Sequence, residues 1–414
     1  MELSASDLAV LAFTSGSTQA PRAVELTHGN ILANLQGLLQ VRRAEANDVI
    51  LSLLPPAHLF ELVVGQLGPI ACGAKICYAP VMIPNRILEA LRSEGITIAV
   101  VVPALLRLLI QENVDQLVAL GEVDARWSKT SDNEIAANLR TQQQEAEQHP
   151  RSQALRAPVG STLKSVVIGG AAINPAWESM LGSVGIRLEI GYGLTESSPI
   201  VSMGFAGQMP QGSVGKVLPG SELKITETGE VLVKGPSVMG GYYRNPEESA
   251  RIIENGWLHT GDLGRMDEQG NLFILGRLKE AMVNEGGETI YPEEVEPLYR
   301  MDELLEYCVV PFRSEHANDI PVLVGVPKAN PLQDPEFAKA LLVAFRAAKK
   351  SAPGRLKVSG LLLLDQAIPR TNLAKPKRLD LARGIEKKMA GIQAANNLTE
   401  DLWKILQQQP NFVN

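Results

Sequence analysis

The chain has little cysteine, no long apolar run and no concentration of positive charge, and each shortage closes off a class of function. Three cysteines occur among 414 residues, Cys72, Cys77 and Cys308. They show neither a metal-binding spacing nor an even disulfide set, which points to a reducing, cytoplasmic setting. No apolar stretch approaches the ~20 residues that a membrane-spanning helix needs, although peripheral contact with a membrane surface stays open. Formal net charge is −7, with acids and bases spread along the chain; a nucleic-acid-binding domain would gather its basic residues. The first residues lack the basic-then-apolar profile of a secretory signal. There is no G-x-x-x-x-G-K-[ST] loop and no G-x-G-x-x-G fingerprint. No internal repeat is found, and His28, His149, His259 and His316 form no spaced metal set.

What is there is a large apolar fraction, 45%, enough for a sizeable core, in a length that implies about two or three domains. Short β-rich runs alternate with helical stretches. The predicted strands are Asp7–Phe13, Val49–Leu54, Ala74–Ala79, Thr97–Pro103, Leu163–Gly170 and Arg187–Gly191. Helices are predicted at Asn30–Val41, Pro84–Gly95 and Asn174–Gly185. Strand, helix, strand at this spacing indicates a parallel sheet covered by helices. The texture changes near Glu222, where "ELKITETGEVLVKG" reads as two strands about the turn Thr228-Gly229. After Arg277 a mixed segment carries helices near Pro292–Tyr299, Pro335–Lys350 and Leu379–Met389. The reading is an α/β chain: a large N-terminal domain (1–277) with parallel sheets under helices and a β-rich subdomain at about 205–277, then a small α+β domain (278–414). Asp124 to Gly160, rich in Gln, Glu, Ala and Arg, reads as a solvated insertion with an amphipathic helix around Asn133–Gln148.

Directly after the first predicted strand the chain reads "LAFTSGSTQAPRAVELTHGN", from Leu11 to Asn30. A Gly/Ser/Thr loop leaving a strand can wrap an anion, because its backbone N–H groups are unobstructed and its hydroxyls add donors. Alone, the stretch reads equally well as an ordinary polar loop. Four further segments follow in order: "EIGYGLTESSP", "NGWLHTGDLG", "GRLKEAMVNEGGETIYPEEVE" and "IPRTNLAKPKR". Together they resemble the ordered motifs of the adenylate-forming superfamily, and the resemblance covers nearly the whole chain. "LSLLPPAHLFE" and "GSVGKVLPGSELKI" are most similar to its long-chain fatty acyl-CoA and acyl-carrier-protein synthetase branch.

The resemblance implies an enzyme in which a carboxylate attacks the α-phosphate of ATP, pyrophosphate leaves and a thiol takes the acyl group. Its substrates would be a fatty acid and ATP with Mg²⁺, and its acceptor CoA or the phosphopantetheine of an acyl carrier protein. On that pattern Thr14, Ser15, Gly16, Ser17 and Thr18 grip the β- and γ-phosphates. Gly169, Gly170 and Ala171 border the adenine; Tyr192 flanks it, followed by Gly193 in the same motif. Thr195 touches the α-phosphate side, and Glu196 holds Mg²⁺, a hard cation suited to carboxylate oxygen. Asp262 accepts the ribose hydroxyls and Arg277 reaches ribose or phosphate. Lys279 is the hinge of a mobile C-terminal domain, His58 lines the acyl pocket, and Lys375 is the catalytic lysine. From the residues alone, Asp262 could cap a helix or turn, and Arg277 could form a structural ion pair. His58 could be a satisfied structural histidine.

The chain also departs from the pattern. Gln19 and Ala23 replace loop glycines and Arg22 replaces a lysine; an arginine keeps the charge but needs more room. Pro376 follows Lys375 where the pattern is more flexible, which makes Lys377 a competing candidate. Members of the superfamily carry a long segment before the phosphate loop, whereas this chain opens "MELSASDLAV". Three expectations follow: the chain is a fragment, another polypeptide supplies that segment, or the protein is a non-catalytic relative. Loading of a carrier protein in place of CoA is a further alternative.

Overall fold

The runs Val49–Ser52, Ile98–Val101 and Ser165–Ile168 have no alternation of polar and apolar residues. That is the pattern of strands covered on both faces, and Ile50, Leu51, Ile98, Val100, Val166 and Ile168 are all buried. A computed structural model describes residues 2–14, 22–79, 83–119, 159–171, 173–174, 176–283, 288–313, 319–370 and 376–389. The expectations placed on Ser15, Gly16, Ser17, Thr18, the helix at 133–148 and Lys375 lie outside these residues.

The strands, in chain order, are β1 (Leu8–Thr14), β2 (Arg22–Thr27), β3 (Val49–Ser52), β4 (Lys75–Tyr78), β5 (Ile98–Val101), β6 (Ser165–Ile168), β7 (Arg187–Gly193), β8 (Ile200–Phe205) and β9 (Lys216–Val217). There follow β10 (Glu222–Ile225), β11 (Glu230–Lys234), β12 (Gly241–Tyr242), β13 (Ile253–Glu254), β14 (Trp257–Met266) and β15 (Leu272–Arg277). A seven-stranded sheet has the order β4-β3-β5-β6-β7-β8-β9. Its strands β4, β3, β5, β6 and β7 run parallel, and β8 and β9 are added antiparallel. Helices His28–Val41, Pro84–Ser93, Pro103–Ala119 and Ala176–Ser183 accompany it. Leu35, Leu38, Ile50, Val63, Val100 and Val167 pack in one core cluster. Burying each such side chain contributes on the order of 1.5–3 kcal/mol.

The expected α/β class is present, with one correction. The run at residues 8–14 is not a member of the parallel sheet. It pairs antiparallel with β2 in a separate sheet of order β1-β2-β12. An apolar run specifies a strand but not its partner, and the neighbouring strand, Arg22–Thr27, lay unread inside the motif. The hairpin at Thr228-Gly229 forms as expected: β10 pairs with β11 antiparallel, and Gly229 takes φ +86°. These two strands join β14, β13 and β15 in a five-stranded sheet.

The chain divides into two compact units: Pro21–Thr260 and Gly264–Ile274 belong to the first with the N-terminal strand, and Gly261–Leu263 with everything from Leu275 belongs to the second. In the second unit β16 (Met282–Val283) pairs with β17 (Thr289–Ile290), and a sheet of order β18-β19-β20 forms from Leu304–Arg313, Asp319–Pro327 and Gly360–Leu363. Helix Pro335–Ser351 buries Leu341 and Phe345 in one cluster with Tyr299 and Leu323. Helix Arg378–Met389 buries Leu381, Ala382 and Ile385 in another with Cys308 and Val324. Among the described residues, no helix is long and apolar enough to cross a membrane.

Candidate active site

Three loops leave the carboxyl ends of β3, β6 and β7, the edge at which open α/β sheets bind ligands. Their closeness is visible at Gly169. A Cβ there would lie 3.1 Å from the Gly191 carbonyl oxygen and 3.3 Å from the Phe60 ring. The loop after β3 thus meets the loop after β6 and the end of β7. Gly170 follows with φ +89°, a left-handed conformation that only glycine adopts at little cost. Ala171 completes the turn, half-buried.

His58 stands in the turn after β3, its N–H donating to the Pro55 carbonyl at 2.9 Å. That turn is tied down by a residue the sequence reading did not single out. Glu61 opens the π-helical turn Glu61–Leu67 and is fully buried. The Ser52 hydroxyl donates to its Oε1 at 2.5 Å and the Leu54 N–H to its Oε2 at 3.3 Å. Burial pushes the Glu61 carboxyl above its ordinary range.

Tyr192 and Gly193 end β7, and the short turn Thr195–Ser197 follows. A side chain at Gly193 would collide with the Pro199 carbonyl, so the chain folds back here only with glycine. The turn is then held from helix His28–Val41. The buried Asn34 donates from Nδ2 to the carbonyls of Ser197 at 3.1 Å and Ile200 at 2.7 Å. On the same helix Asn30 closes a capping box with Thr27 and donates to the carbonyls of Pro236 and Val238.

Glu196 sits in the middle of this turn. Its backbone carbonyl accepts from Met239 N–H at 2.9 Å, and its Oε1 accepts from the Tyr242 hydroxyl at 2.8 Å. Tyr242 is 5% exposed. Burial and the adjacent Glu196 carboxylate hold its phenol far above the usual tyrosine range. The guanidinium of Arg22 lies over the Tyr242 ring, 5.3 Å from its centroid, and pairs with Glu248 at 2.6 Å. The cation that replaces the motif lysine is therefore drawn to a carboxylate of the protein itself. Thr14 pairs with Arg22 across the β1–β2 ladder, so the two ends of the glycine and hydroxyl loop face each other.

The second unit holds its own groups. Asp262 is 5% exposed and pairs with Arg277 Nε at 3.0 Å. Lys279 is exposed, in the 3-10 turn Leu278–Glu280. Its neighbour Glu280 belongs to a buried charge cluster: Arg378 contacts Glu280 at 2.6 Å, Glu293 at 3.3 Å and Glu296 at 2.9 Å. Glu293 Oε2 is buried with no hydrogen-bond partner among the described residues. A Cβ at Gly276 would sit 3.0 Å from that oxygen, so glycine lets the backbone close on it. Burial outweighs the attraction of Arg378 and pushes the Glu293 carboxyl up to about 7. Nothing in local sequence pattern announces this cluster, since Glu280 and Arg378 are 98 residues apart.

The sequence pattern of the AMP-binding enzyme family matches residues 1–243. Among relatives, the chain is 30% identical over 365 residues to a long-chain-fatty-acid–CoA ligase of Bacillus subtilis, covering 83% of this chain and 58% of that protein. It is 28% identical to an indoleacetate–CoA ligase of Aromatoleum aromaticum, covering 92% of this chain and 68% of the other. The chain thus spans little more than half the length of the Bacillus relative. Among solved structures it is similar to ATP-bound MatB from Rhodopseudomonas palustris, with a TM-score of 0.71 at 22% identity over 94% of this chain and 70% of that one. The O-succinylbenzoate coenzyme A synthetase of Bacillus subtilis in complex with ATP and magnesium ion gives a TM-score of 0.67 at 22% identity, over 92% of this chain and 70% of the other. These structural likenesses establish the fold. With its ordered motifs, its sheet and a family match over more than half its length, the chain belongs to the AMP-binding enzyme family.

Proposed function

We propose that the protein is an AMP-forming acid–thiol ligase. It activates a fatty acid with ATP and Mg²⁺ as an acyl-adenylate and transfers the acyl group to CoA. The observation that carries this reading is the tethered Glu196 on the turn after β7. Its Oε1 is committed to Tyr242, while Oε2 takes no hydrogen bond among the described residues. A carboxylate oxygen left in that condition suits a hard divalent cation. The CoA-ligase relatives support the reaction class, and the Bacillus relative supports a long acyl chain.

In this reading Mg²⁺ would neutralise phosphate charge when nucleotide is bound; Glu196 would hold it, and Thr195 would touch the α-phosphate side. Tyr192, Gly193, Gly170 and Ala171 accept the adenine. Asp262 binds the ribose hydroxyls, with Arg277 pairing with its carboxylate and orienting it. Thr14 and the residues Ser15 to Thr18 hold the outer phosphates. His58, fixed by the Glu61 brace, borders the acyl carboxylate. Lys375 supplies positive charge where the acid attacks phosphorus, and Lys279 is the point about which residues 278–414 move between half-reactions. The catalytic power comes from positioning and charge complementarity, since no covalent enzyme intermediate is required.

Pyrophosphate release with ATP, Mg²⁺ and a panel of fatty acids tests the reading. Release that requires an acid, with preference for long chains, is expected. A second reading, a nucleotide-binding relative with little catalysis, draws on the Arg22–Glu248 pair at 2.6 Å, which engages the cation expected beside phosphate. Nucleotide binding without acid-dependent release would favour it.

A further inference from the structure

We propose that Tyr242 is a positioning residue for the metal-binding carboxylate: its hydroxyl fixes Glu196 through Oε1 and keeps Oε2 available to the Mg²⁺ of bound nucleotide. The role rests on the reading of Glu196 given above.

The local sequence "MGGYYRNPEES" places the group. At the end of β12 the chain still alternates faces, so Tyr242 is buried while Tyr243, just beyond the strand, is 41% exposed. Tyr242 lies opposite Val24 of β2, and the Tyr243 N–H donates to the Ala23 carbonyl at 2.8 Å. The Tyr242 N–H donates to Ser249 Oγ at 2.8 Å, and that hydroxyl in turn donates to the Asn245 carbonyl at 2.7 Å. A Cβ at Gly241 would lie 2.9 Å from Ser249 Oγ, so the glycine is what lets this bond form. The phenol is therefore locked at its backbone, on its ring face by Arg22 at 5.3 Å, and at its hydroxyl by Glu196 at 2.8 Å.

The chemistry of the donor matters. A hydroxyl orients the carboxylate without cancelling its charge, whereas a lysine or arginine there would compete with the cation. Glu196 is held twice by one short segment, its backbone by Met239 and its side chain by Tyr242. That segment also pairs with β2, the strand that leaves the glycine and hydroxyl loop. A carboxylate so restrained need not be reordered when metal arrives, and partners of metal ligands typically contribute about tenfold or more in metal affinity.

The test is calorimetric titration of ATP into the full chain, once with EDTA and once with excess MgCl₂, for wild type, Y242F, E196Q and the double variant. In the wild type Mg²⁺ should tighten ATP binding. Y242F should leave the EDTA affinity within about twofold and reduce the Mg²⁺-dependent gain about tenfold. In E196Q that gain should be largely gone, and adding Y242F to it should change nothing more. A merely structural role for Tyr242 would weaken both titrations alike, and that result overturns the proposal. An undiminished gain in Y242F, or a further loss on the E196Q background, also overturns it. A wild type that binds ATP equally with and without Mg²⁺ removes the role of Tyr242 while leaving acid-dependent pyrophosphate release to judge the ligase reading. A wild type that binds no ATP ends both. Should Y242F not fold, Ser249→Ala, which frees the Tyr242 N–H, is expected to reduce the Mg²⁺-dependent gain in the same direction, and an unchanged gain there counts against the proposal.

Discussion

Glu293→Gln should stabilise the second unit at alkaline pH and remove much of its pH dependence. Glu293 faces Arg378, Glu296 and Glu280, and its Oε2 is buried without a partner among the described residues. Its carboxyl ionises near 4.5 when solvated but holds its proton to about 7 in the folded unit. Folding therefore takes up a proton between those values. The contribution of this group is fully present below pH 4.5 and is lost as pH rises through 7. At about 1.4 kcal/mol per pH unit, the loss over this interval is about 3.5 kcal/mol; solvent at the rim of the cluster brings the expected figure to roughly 1–3 kcal/mol. Glutamine has nearly the same shape and cannot ionise. Arg378 keeps Glu280 at 2.6 Å and Glu296 at 2.9 Å. Burial raises Glu296 as well, so a shallower slope of the same sign should remain. Cys308, pushed up to about 12, does not titrate in this range. The assay is native-state hydrogen exchange of peptides from β18 and β19, converted to opening free energies at pH 5 and pH 8. Wild type should lose opening free energy over that interval, and Glu293→Gln should lose less. A wild type that gains stability from pH 5 to pH 8, or a variant that tracks it in parallel, would rule out a proton held by Glu293 as the source of the slope.

Two further outcomes are expected. Glu196→Gln should lower acid-dependent pyrophosphate release at least about tenfold with the thermal midpoint nearly unchanged, since it removes a charge and keeps the shape; unaltered release would take Glu196 out of the metal site. Asn34→Ala should cost about 1–3 kcal/mol in urea unfolding of the first unit, because it leaves the buried carbonyls of Ser197 and Ile200 without donors. It should also raise the KM for ATP by loosening the Glu196 turn, so a destabilised variant with wild-type KM would count against Asn34 as the tether.

Much of the fold was legible because its central strands are short apolar runs separated by amphipathic helices. Val49–Ser52 and Ile98–Val101 could hardly be anything but strands covered on both faces. The place of Leu8–Thr14 was not legible, since strand propensity does not name a partner and Arg22–Thr27 was hidden within a motif read for its chemistry. The helix Pro103–Ala119 was passed over for a similar reason: its opening follows directly on a strand run, and no polar break separates the two. Within the site, motif order identified Glu196, Tyr192 and Asp262 as residues to examine, but not their companions. Tyr242 reaches Glu196 across 46 residues and Asn34 reaches Ser197 across 163. A tyrosine beside another tyrosine, or an asparagine on an apolar helix face, carries no local mark of such a bond. The Arg277–Asp262 pair at 3.0 Å joins two residues that the sequence had singled out separately; it had raised an ion pair for Arg277 without naming the partner.

In the proposed reaction this chain joins an acid to AMP, with Lys375 at the reacting phosphorus. Exchange of labelled pyrophosphate into ATP reads that half-reaction directly, and it should be followed for wild type, Lys375→Ala and Lys377→Ala with and without a long-chain fatty acid. Exchange should require the acid, with a loss of about two orders of magnitude in Lys375→Ala and a much smaller loss in Lys377→Ala. No acid-dependent exchange in the wild type would contradict the claim, and the deficit appearing in Lys377→Ala instead would contradict the assignment of the lysine.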